Sequence, residues 1–365
     1  MNNISFIFLM LKLTFLTSFF GCQSEPKLTK PNDPNIQYLG RVDISNRDQA
    51  RFSQSGTGFR IRFEGKTCRI HLGNESATNL KNYYTLIIDN QHPEVISTSK
   101  KDSVFELQFD NISTHTVSIT KRTENFVGIG LLNGIEIEKT LLPLPVSKRK
   151  MEFIGNSITC GYGNEGANAN CHFTPETENN YLSYGAITAR NLQAEYLAVA
   201  FSGIGIVQNY ELNNHETMPI IYDRIIPQIP NLKWDFNRYS PDIVVINLGT
   251  NDFAHHNPDP ALFMKTYSEF VTRIRKNYPN SHLFCIEGCM TNDSWPEKSK
   301  AMSTLQSYIN QVVANMKSKG DTKIESFFFS RMQESDAGCD WHPNIKKHQQ
   351  MAEELSTFIR SKTDW

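Results

Sequence analysis

Residues 153–163 read Phe-Ile-Gly-Asn-Ser-Ile-Thr-Cys-Gly-Tyr-Gly, and the rest of the sequence can be placed around them. The apolar run from Met151 to Ile154 predicts a buried strand. Because the run stops at Gly155, Ser157 falls where a strand gives way to a helix. At that point a fold can hold a hydroxyl at the carboxyl edge of a parallel sheet, with backbone N–H groups of the next turn facing it. Ser157 is therefore a candidate nucleophile, and its alternative role is an N-cap.

Residues 148–365 alternate short apolar runs with longer segments of helical periodicity. Near-continuous apolar strands separated by helices are typical of a parallel sheet covered on both faces. We therefore predict an α/β domain, in which reactive groups collect at the carboxyl ends of the strands. The predicted strands are 151–154, 195–200, 243–248, 282–286 and 324–329, and the predicted helices are about 180–193, 218–229, 259–277, 297–319 and 344–362.

Residues 37–141 follow a different pattern of short segments in which apolar and polar residues alternate, as in Phe59-Arg60-Ile61-Arg62-Phe63. Turn residues recur about every ten positions, which predicts an antiparallel β-sandwich of about eight strands, with a jelly roll as the favoured topology. This domain could bind carbohydrate, but support of the second domain is the favoured role. Leu142-Pro143-Leu144-Pro145 is the predicted hinge, because closely spaced prolines halt strands and helices.

The amino terminus is predicted to be a lipoprotein-type signal peptide, residues 1–22. Its apolar run is interrupted by Lys12 and is too short for a comfortable membrane span, which is typical of an export signal. Phe19-Phe20-Gly21-Cys22 resembles a bacterial lipobox, so Cys22 is the predicted lipidation site. The alternative is a plain secretory signal cut nearby. Residues 23–36 are polar and proline-rich and predict a tether, which gives an exported, membrane-anchored lipoprotein of the periplasm or cell surface.

Composition and cysteine usage narrow the classes of partner. The chain has 365 residues, 39% of them hydrophobic, and a formal charge of −1, so nothing in it favours a nucleic-acid partner.

An oxidising compartment permits disulfides, and Cys160 and Cys171 are predicted to pair across the Gly- and Asn-rich loop between them. No C-x-x-C spacing occurs, and His255 and His256 are adjacent, so we predict a surface loop there and no metal or other cofactor.

Ester hydrolysis requires a nucleophile, a base, a group that orients the base, and donors for the developing oxyanion. His342 is the candidate base, since an imidazole titrates near working pH. Pro343 disfavours helical geometry at His342 and so places it in a loop before a helix, although His-Pro is also an ordinary helix-start signal.

The predicted oxyanion hole combines the N–H groups of Ser157 and Gly203 with the side-chain amide of Asn251. Glycine at position 203 lets the backbone approach a bound acyl group. The alternative roles are an ordinary turn at Gly203 and an Asx-turn or cap at Asn251. Asp252 is predicted to stabilise its own loop.

The order of the motifs resembles that of the SGNH (GDSL-like) hydrolases, and is similar in particular to carbohydrate esterase family two, the two-domain acetylxylan esterases. That resemblance covers essentially the whole exported chain. It implies a flavodoxin-like catalytic domain behind a β-sandwich, and removal of O-acetyl groups from plant polysaccharides or oligosaccharides without a cofactor. The motifs are Gly155-Asn156-Ser157, Gly203, Gly249-Thr250-Asn251-Asp252 and Asp340-Trp341-His342-Pro343.

Two positions depart from the SGNH pattern. Asn156 replaces the Asp of Gly-Asp-Ser, which affects loop hydrogen bonding and leaves the nucleophile in place. The acid usually found three residues before the His is Cys339 here, and Asp340 is two before it. Either Asp340 or a backbone carbonyl near Trp341 could orient His342, and we favour a contribution from Asp340.

Three aromatic residues near the motifs are candidates for stacking on a sugar ring. Trp295 follows the fourth predicted strand, Trp341 is adjacent to His342, and Tyr210 follows Gly203 closely. Each could equally serve core or cap packing.

Two other functions remain open at this point. An SGNH lipase or thioesterase would need an apolar trough for a long acyl chain, whereas residues 163–168 are largely polar. A non-catalytic glycan-binding lipoprotein is disfavoured because every motif residue is present. An α/β-hydrolase fits less well, because its Gly-x-Ser-x-Gly motif would place glycine where Thr159 stands.

Overall fold

The structure, a computed structural model, describes residues 27–76 and 80–365. The predicted signal peptide and the lipidation site Cys22 lie outside the described residues. Within the described ranges, no helix is both long enough and apolar enough to cross a membrane.

The amino-terminal domain is a nine-stranded antiparallel sheet in the order β3-β4-β9-β5-β8-β6-β7, with β1 beside β9 and β2 beside β5. The antiparallel prediction is confirmed, with nine strands in place of about eight. The strands are β1 (Lys27–Thr29), β2 (Gln37–Leu39), β3 (Asp43–Asn46), β4 (Gln49–Phe52), β5 (Gly58–Glu75), β6 (Asn82–Ile88), β7 (Glu94–Thr98), β8 (Ser103–Lys121) and β9 (Ile129–Ile137).

A bulge in β5 lets this sheet enclose its own core. Before the bulge, Phe59 and Ile61 are buried at odd positions; after it, Ile70 and Leu72 are buried at even positions. The shift of register lies between Gly65 and Thr67. Because side chains alternate along a strand, one extra residue is what turns both halves of β5 toward the same core. The two halves of β5 and β8 thereby contribute to the two layers around one apolar cluster.

Residues 23–36 were predicted to form a tether, but the described part of this segment, residues 27–36, contributes a strand and a buried side chain to the first domain. Lys27–Thr29 pairs with residues 135–137 of β9, and Ile36 is buried. An unpaired strand edge exposes N–H and C=O groups that need partners, and β1 supplies them to β9.

The carboxy-terminal domain is a five-stranded parallel sheet in the order β11-β10-β12-β13-β14, as the strand pattern predicts. The strands are β10 (Lys150–Gly155), β11 (Glu195–Ala200), β12 (Ile243–Asn247), β13 (His282–Glu287) and β14 (Ile324–Phe328). The helices are α1 (Ser157–Cys160), α2 (Tyr184–Asn191), α3 (Met218–Ile221), α4 (Pro260–Asn277), α5 (Ala301–Ser318) and α6 (Ile345–Lys362).

Helices cover both faces of this sheet, which explains its continuously apolar strands. Along β12, Val244 and Ile246 enter the cluster beneath α4 and α5, whereas Ile243 and Val245 enter the cluster beneath α2 and α6. Burial on both faces removes the need for a polar residue at alternate positions.

The helix predicted over 218–229 is wrong beyond its first turn. Only Met218–Ile221 is helical, with Pro219 in the first turn, where proline is tolerated. The chain leaves the helix before Pro227, since the Ile225 N–H donates to the distant Leu232 carbonyl at 2.9 Å, and Pro227 lacks the N–H that a helix resuming there would need. The predicted helix 180–193 is also shorter, because a 3₁₀ turn over Asn180–Leu182 precedes α2.

A buried ion pair joins the two domains. Arg41 of the first domain donates to Glu152 of β10 over 3.1 Å, and both side chains are fully buried. Glu152 also accepts the Tyr278 hydroxyl at 2.6 Å, and the Arg41 guanidinium lies over the Tyr222 ring, 4.9 Å from its centroid. Loss of one partner would leave a buried charge unpaired, so this contact fixes how the first domain sits on the second.

Candidate active site

Ser157 and His342 meet at the carboxyl edge of the parallel sheet. The Ser157 Oγ lies 2.8 Å from His342 Nε2, although 185 positions separate the two residues. Ser157 opens α1 directly after β10, and Asn156 caps that helix by accepting the Ile158 N–H at 3.1 Å. The capping role thus belongs to Asn156, which leaves the Ser157 hydroxyl for the imidazole.

A backbone carbonyl orients His342. Its Nδ1 lies 3.0 Å from the carbonyl oxygen of Asp340. Because a carbonyl only accepts hydrogen bonds, Nδ1 carries the proton and Nε2 is left as the acceptor for the serine hydroxyl. Asp340 and Trp341 both have positive φ, 50° and 61°, and this tight left-handed turn precedes His342 directly.

The predicted contact between the Asp340 carboxylate and the imidazole is wrong. That carboxylate accepts the Tyr162 hydroxyl at 3.0 Å and the Phe173 N–H at 2.8 Å, and it lies 2.9 Å from His172 Nδ1. It therefore ties the loop of residues 168–173 to the turn that presents His342. The carbonyl alternative fits the structure, with Asp340 itself as the residue that provides it.

Aromatic packing keeps His342 neutral. The Tyr162 ring lies 4.2 Å from the imidazole, measured between centroids, and stacks at 4.3 Å on Phe173. The resulting desolvation lowers the pKa of His342 to about 4, although the Asp340 carbonyl and charge act in the opposite direction. Sequence reasoning missed both Tyr162 and Phe173. The sequence signal available for Tyr162 was its position between Gly161 and Gly163, at the end of residues 153–163.

A disulfide joins Cys171 to Cys339, so the predicted Cys160–Cys171 pair is wrong. Cys339 directly precedes Asp340, whose N–H also donates to the Cys171 carbonyl at 2.8 Å. The covalent link thus anchors the turn that carries His342. Cys160 instead ends α1 as a buried free thiol.

Most backbone N–H groups that directly follow β11 have an acceptor within the described residues. The Ser202 N–H donates to Glu124, that of Ile204 to the Phe201 carbonyl, and that of Gly205 to Asn209. Residues 206–208 all donate to the Asp252 carboxylate at 2.7–3.1 Å. Asp252 therefore holds this neighbouring loop, where the sequence predicted support of its own loop.

The Gly203 N–H has no acceptor in range among the described residues. Its φ of +79° is a conformation that favours glycine, and a Cβ there would meet only Tyr210, at 3.7 Å. Backbone conformation, rather than crowding, thus requires glycine at this position.

Two further donors are available at the same edge. No residue in the described part of the chain accepts the Ser157 N–H at the start of α1. Asn251 is buried and donates one amide hydrogen to the Ile204 carbonyl at 2.8 Å. A primary amide carries two hydrogens, so one remains for a ligand.

Comparison with known proteins assigns this arrangement to a family. Residues 38–145 match the carbohydrate esterase 2 N-terminal model, and residues 151–355 match the GDSL-like lipase/acylhydrolase model. A solved family two carbohydrate esterase from Clostridium thermocellum, in complex with cellohexaose, is 35% identical and covers 90% of this chain and 98% of its own, with a TM-score of 0.83. The chain belongs to carbohydrate esterase family two. It is a carboxylic ester hydrolase that acts on carbohydrate esters.

Two curated relatives agree with the assignment of this esterase. The cellulase/esterase CelE of Acetivibrio thermocellus is 36% identical over 92% of the chain, which spans 40% of the length of that relative. An acetylxylan esterase/glucomannan deacetylase of Cellvibrio japonicus is 29% identical over 92% of this chain and 90% of its own.

The three aromatic candidates of the esterase lie outside its cores. Trp295 is 69% exposed, and Trp341 and Tyr210 are each 52% exposed. Trp341 lines a pocket of about 340 Å³ with Met290 and Arg331, close to His342 in the chain. Tyr210 packs on His255, with ring centroids 5.0 Å apart. Their roles in sugar binding stay predictions.

A buried polar cluster of the esterase lies behind α1. Glu124, Cys160 and Glu178 bring possible metal-ligand atoms within 4.8 Å of one another. The carboxylates already accept N–H groups, Glu124 from Ser202 and Glu178 from Glu124. Burial raises the pKa of Glu178 well above its ordinary value and lowers that of the neighbouring Lys121 to about 7, because desolvation disfavours the charged form of each group. These contacts explain the cluster as a structural support, without a bound metal ion.

Proposed function

We propose that this esterase is a serine O-acetylesterase that removes acetyl groups from hemicellulose, such as acetylated xylan or glucomannan. The observation that carries the proposal is the 2.8 Å contact between the Ser157 hydroxyl and the unprotonated Nε2 of His342. The similarity to the acetylxylan esterase/glucomannan deacetylase of Cellvibrio japonicus supports the choice of substrate.

In this mechanism Ser157 attacks the acetyl carbonyl carbon while His342 Nε2 accepts the hydroxyl proton. The negative charge that develops on the carbonyl oxygen is stabilised by the N–H groups of Ser157 and Gly203 and the free amide hydrogen of Asn251. Collapse of this intermediate breaks the ester bond, and His342 returns the proton to the departing sugar hydroxyl. In the second half, His342 accepts a proton from water as the water oxygen attacks the acetyl carbon bound to Ser157; the bond to Ser157 Oγ then breaks, acetate leaves, and His342 returns the proton to Oγ.

Polar side chains near Trp341 support a sugar as the alcohol part of the ester. The pocket beside Trp341 is lined in part by Asn292, Arg331 and Glu334, whose polar groups suit sugar hydroxyls.

The test is acetate release from acetylated xylan, acetylated glucomannan and simple acetyl sugars, with p-nitrophenyl acetate and octanoate as reference esters. We expect release from one or both polysaccharides and faster hydrolysis of the acetate than of the octanoate. Preference for octanoate would favour the lipase or thioesterase alternative. Polysaccharide binding without acetate release would favour a non-catalytic glycan-binding protein.

The activity should fall on the acid side only at a pH well below the ordinary pKa of histidine. His342 acts as a base only when neutral, and its lowered pKa of about 4 keeps it neutral down to acidic pH. The kcat/KM of the free enzyme should therefore stay near its plateau at about pH 5 and fall by half near pH 4. An acid limb near pH 6.5, the ordinary value for histidine, would contradict the shielding by Tyr162.

Asp340→Asn should reduce kcat less than tenfold, because the orienting group is the Asp340 backbone carbonyl, which the substitution retains. Asparagine also tolerates the left-handed backbone at this position and keeps an acceptor for the Phe173 N–H. In a serine protease triad the corresponding Asp→Asn change costs about 10⁴ in kcat, so steady-state kinetics distinguish the two arrangements. Asp340→Ala, which loses all three contacts of the carboxylate, should be the more damaging variant.

A further inference from the structure

The first domain forms hydrogen bonds with the loop that carries Gly203. Residues 121–125, which we call the clamp segment, reach across the domain boundary to the end of β11. Asn125 donates to the Ala200 carbonyl at 3.1 Å, and Glu124 accepts the Ser202 N–H at 2.8 Å and also the Ser202 hydroxyl. The carboxylate of Glu124 thus holds the residue directly before Gly203 at two points.

Glu124 is itself held rigidly. Its side chain is fully buried, its N–H donates to Glu178 at 3.0 Å, and its carbonyl accepts the Lys121 ammonium at 2.7 Å. Lys121 also donates to the Thr123 carbonyl at 2.8 Å. The clamp segment therefore has little freedom to relax, and a support of this kind maintains the position of a functional group.

The peptide unit that bears the Gly203 N–H is bracketed on both sides. Glu124 fixes Ser202 before it, and the Tyr210 N–H donates to the Gly203 carbonyl at 2.7 Å after it. The Gly203 N–H, which directly follows the first anchor, has no acceptor within the described part of the chain. Its direction depends on both anchors, and only the first comes from the other domain.

We propose that Glu124 is a positioning residue, through which the amino-terminal domain holds the Gly203 N–H in the direction needed for a developing oxyanion. This inference rests on the proposed function, because it concerns the same oxyanion hole. It gives the first domain a part in catalysis in addition to its support of the fold. Glu124 acts through Ser202 and need not touch the substrate.

The experiment compares Glu124→Ala, Glu124→Gln and Asn125→Ala on p-nitrophenyl acetate. Glu124→Ala removes both contacts with Ser202, so kcat should fall by about 10- to 100-fold while KM changes little, the size expected for a small misplacement of a catalytic group. Glu124→Gln keeps an oxygen for the Ser202 N–H, while the Ser202 hydroxyl can turn to accept from the new amide, so it should restore most of kcat. Asn125→Ala is the matched control, because it loses a contact of the same clamp segment to a residue farther from Gly203. It should lower the melting temperature with kcat largely retained.

Ser202→Ala keeps the inference testable if Glu124→Ala does not fold. It removes only the hydroxyl contact with Glu124 and should reduce kcat by a smaller factor with KM again unchanged. Equal losses of melting temperature in the Glu124 and Asn125 variants, with kcat unchanged in both, would make Glu124 a domain contact only and overturn the inference. If wild-type protein hydrolyses no acetyl ester at all, the proposed function fails instead, so the two failures are distinguishable.

Discussion

Ser157→Ala is expected to lower kcat for acetyl esters by about 10⁶, the loss found when the nucleophile of a serine protease is removed. Alanine has no hydroxyl to attack the carbonyl, and His342 Nε2 loses the proton donor that lies 2.8 Å away. The side chain is small and Asn156, not Ser157, caps α1, so the fold should be retained. Acetate release and the melting temperature, measured on the same preparation, separate loss of chemistry from loss of structure.

His342→Ala is the companion to this variant. A nucleophile and its base act as a unit, so the His342 variant should lose nearly as much activity, and the double variant should lose no more than Ser157→Ala alone. Additive losses would mean that the two side chains act independently. Undiminished turnover in Ser157→Ala would refute the assignment of the nucleophile.

The parallel sheet was predictable because its signal is local. Each of the five strands is an apolar run, and β11 (Glu195–Ala200) occupies the predicted residues. The predictions were wrong where the structure of a segment depends on contacts with residues distant in the sequence. Apolar residues around 218–229 suggest a helix, but the Ile225 N–H pairs with the distant Leu232 carbonyl. Lys27–Thr29 becomes a strand only because β9 offers an edge.

Some features of the candidate site were predictable from local sequence, and others were not. Ser157, Gly203 and His342 were identifiable because they follow strand ends or precede a helix, positions that a parallel sheet brings to one edge. The Cys171–Cys339 disulfide joins residues separated by 168 positions, and no local pattern announces it. Asp340 and Trp341 both have positive φ, and two consecutive non-glycine residues in this uncommon conformation cannot be predicted from the sequence.

Glu124 could not have been found from sequence. It lies in the first domain, and its role arises only from the packing of that domain against Ser202. Sequence reasoning favoured support over carbohydrate binding as the role of the β-sandwich, and this role stays a prediction; residues 121–125 are where this domain contacts the loop after β11.

Asn251→Ala should lower kcat by about 10²–10³, the loss that follows removal of one oxyanion-hole donor in studied hydrolases. The amide of Asn251 holds the Ile204 carbonyl with one hydrogen and presents the other at the carboxyl edge of the sheet. Because the negative charge develops mainly in the transition state, KM for the acetyl ester should change little. Steady-state kinetics on p-nitrophenyl acetate measure both quantities.

The substitution also frees the Ile204 carbonyl, so loosening of the loop must be separated from loss of the donor. Asn209→Ala provides that control, since Asn209 holds the same loop by accepting the Gly205 N–H at 3.0 Å but its amide donates elsewhere, to the Asn214 carbonyl. If Asn251 acts as a donor to the oxyanion, its variant should lose at least tenfold more kcat than Asn209→Ala. Asn251→Asp preserves shape but replaces the amide with a carboxylate that repels the developing charge, and so should be no better than Asn251→Ala. Equal losses in the Asn251 and Asn209 alanine variants would mean that Asn251 only ties the loop, leaving the N–H groups of Ser157 and Gly203 to stabilise the oxyanion.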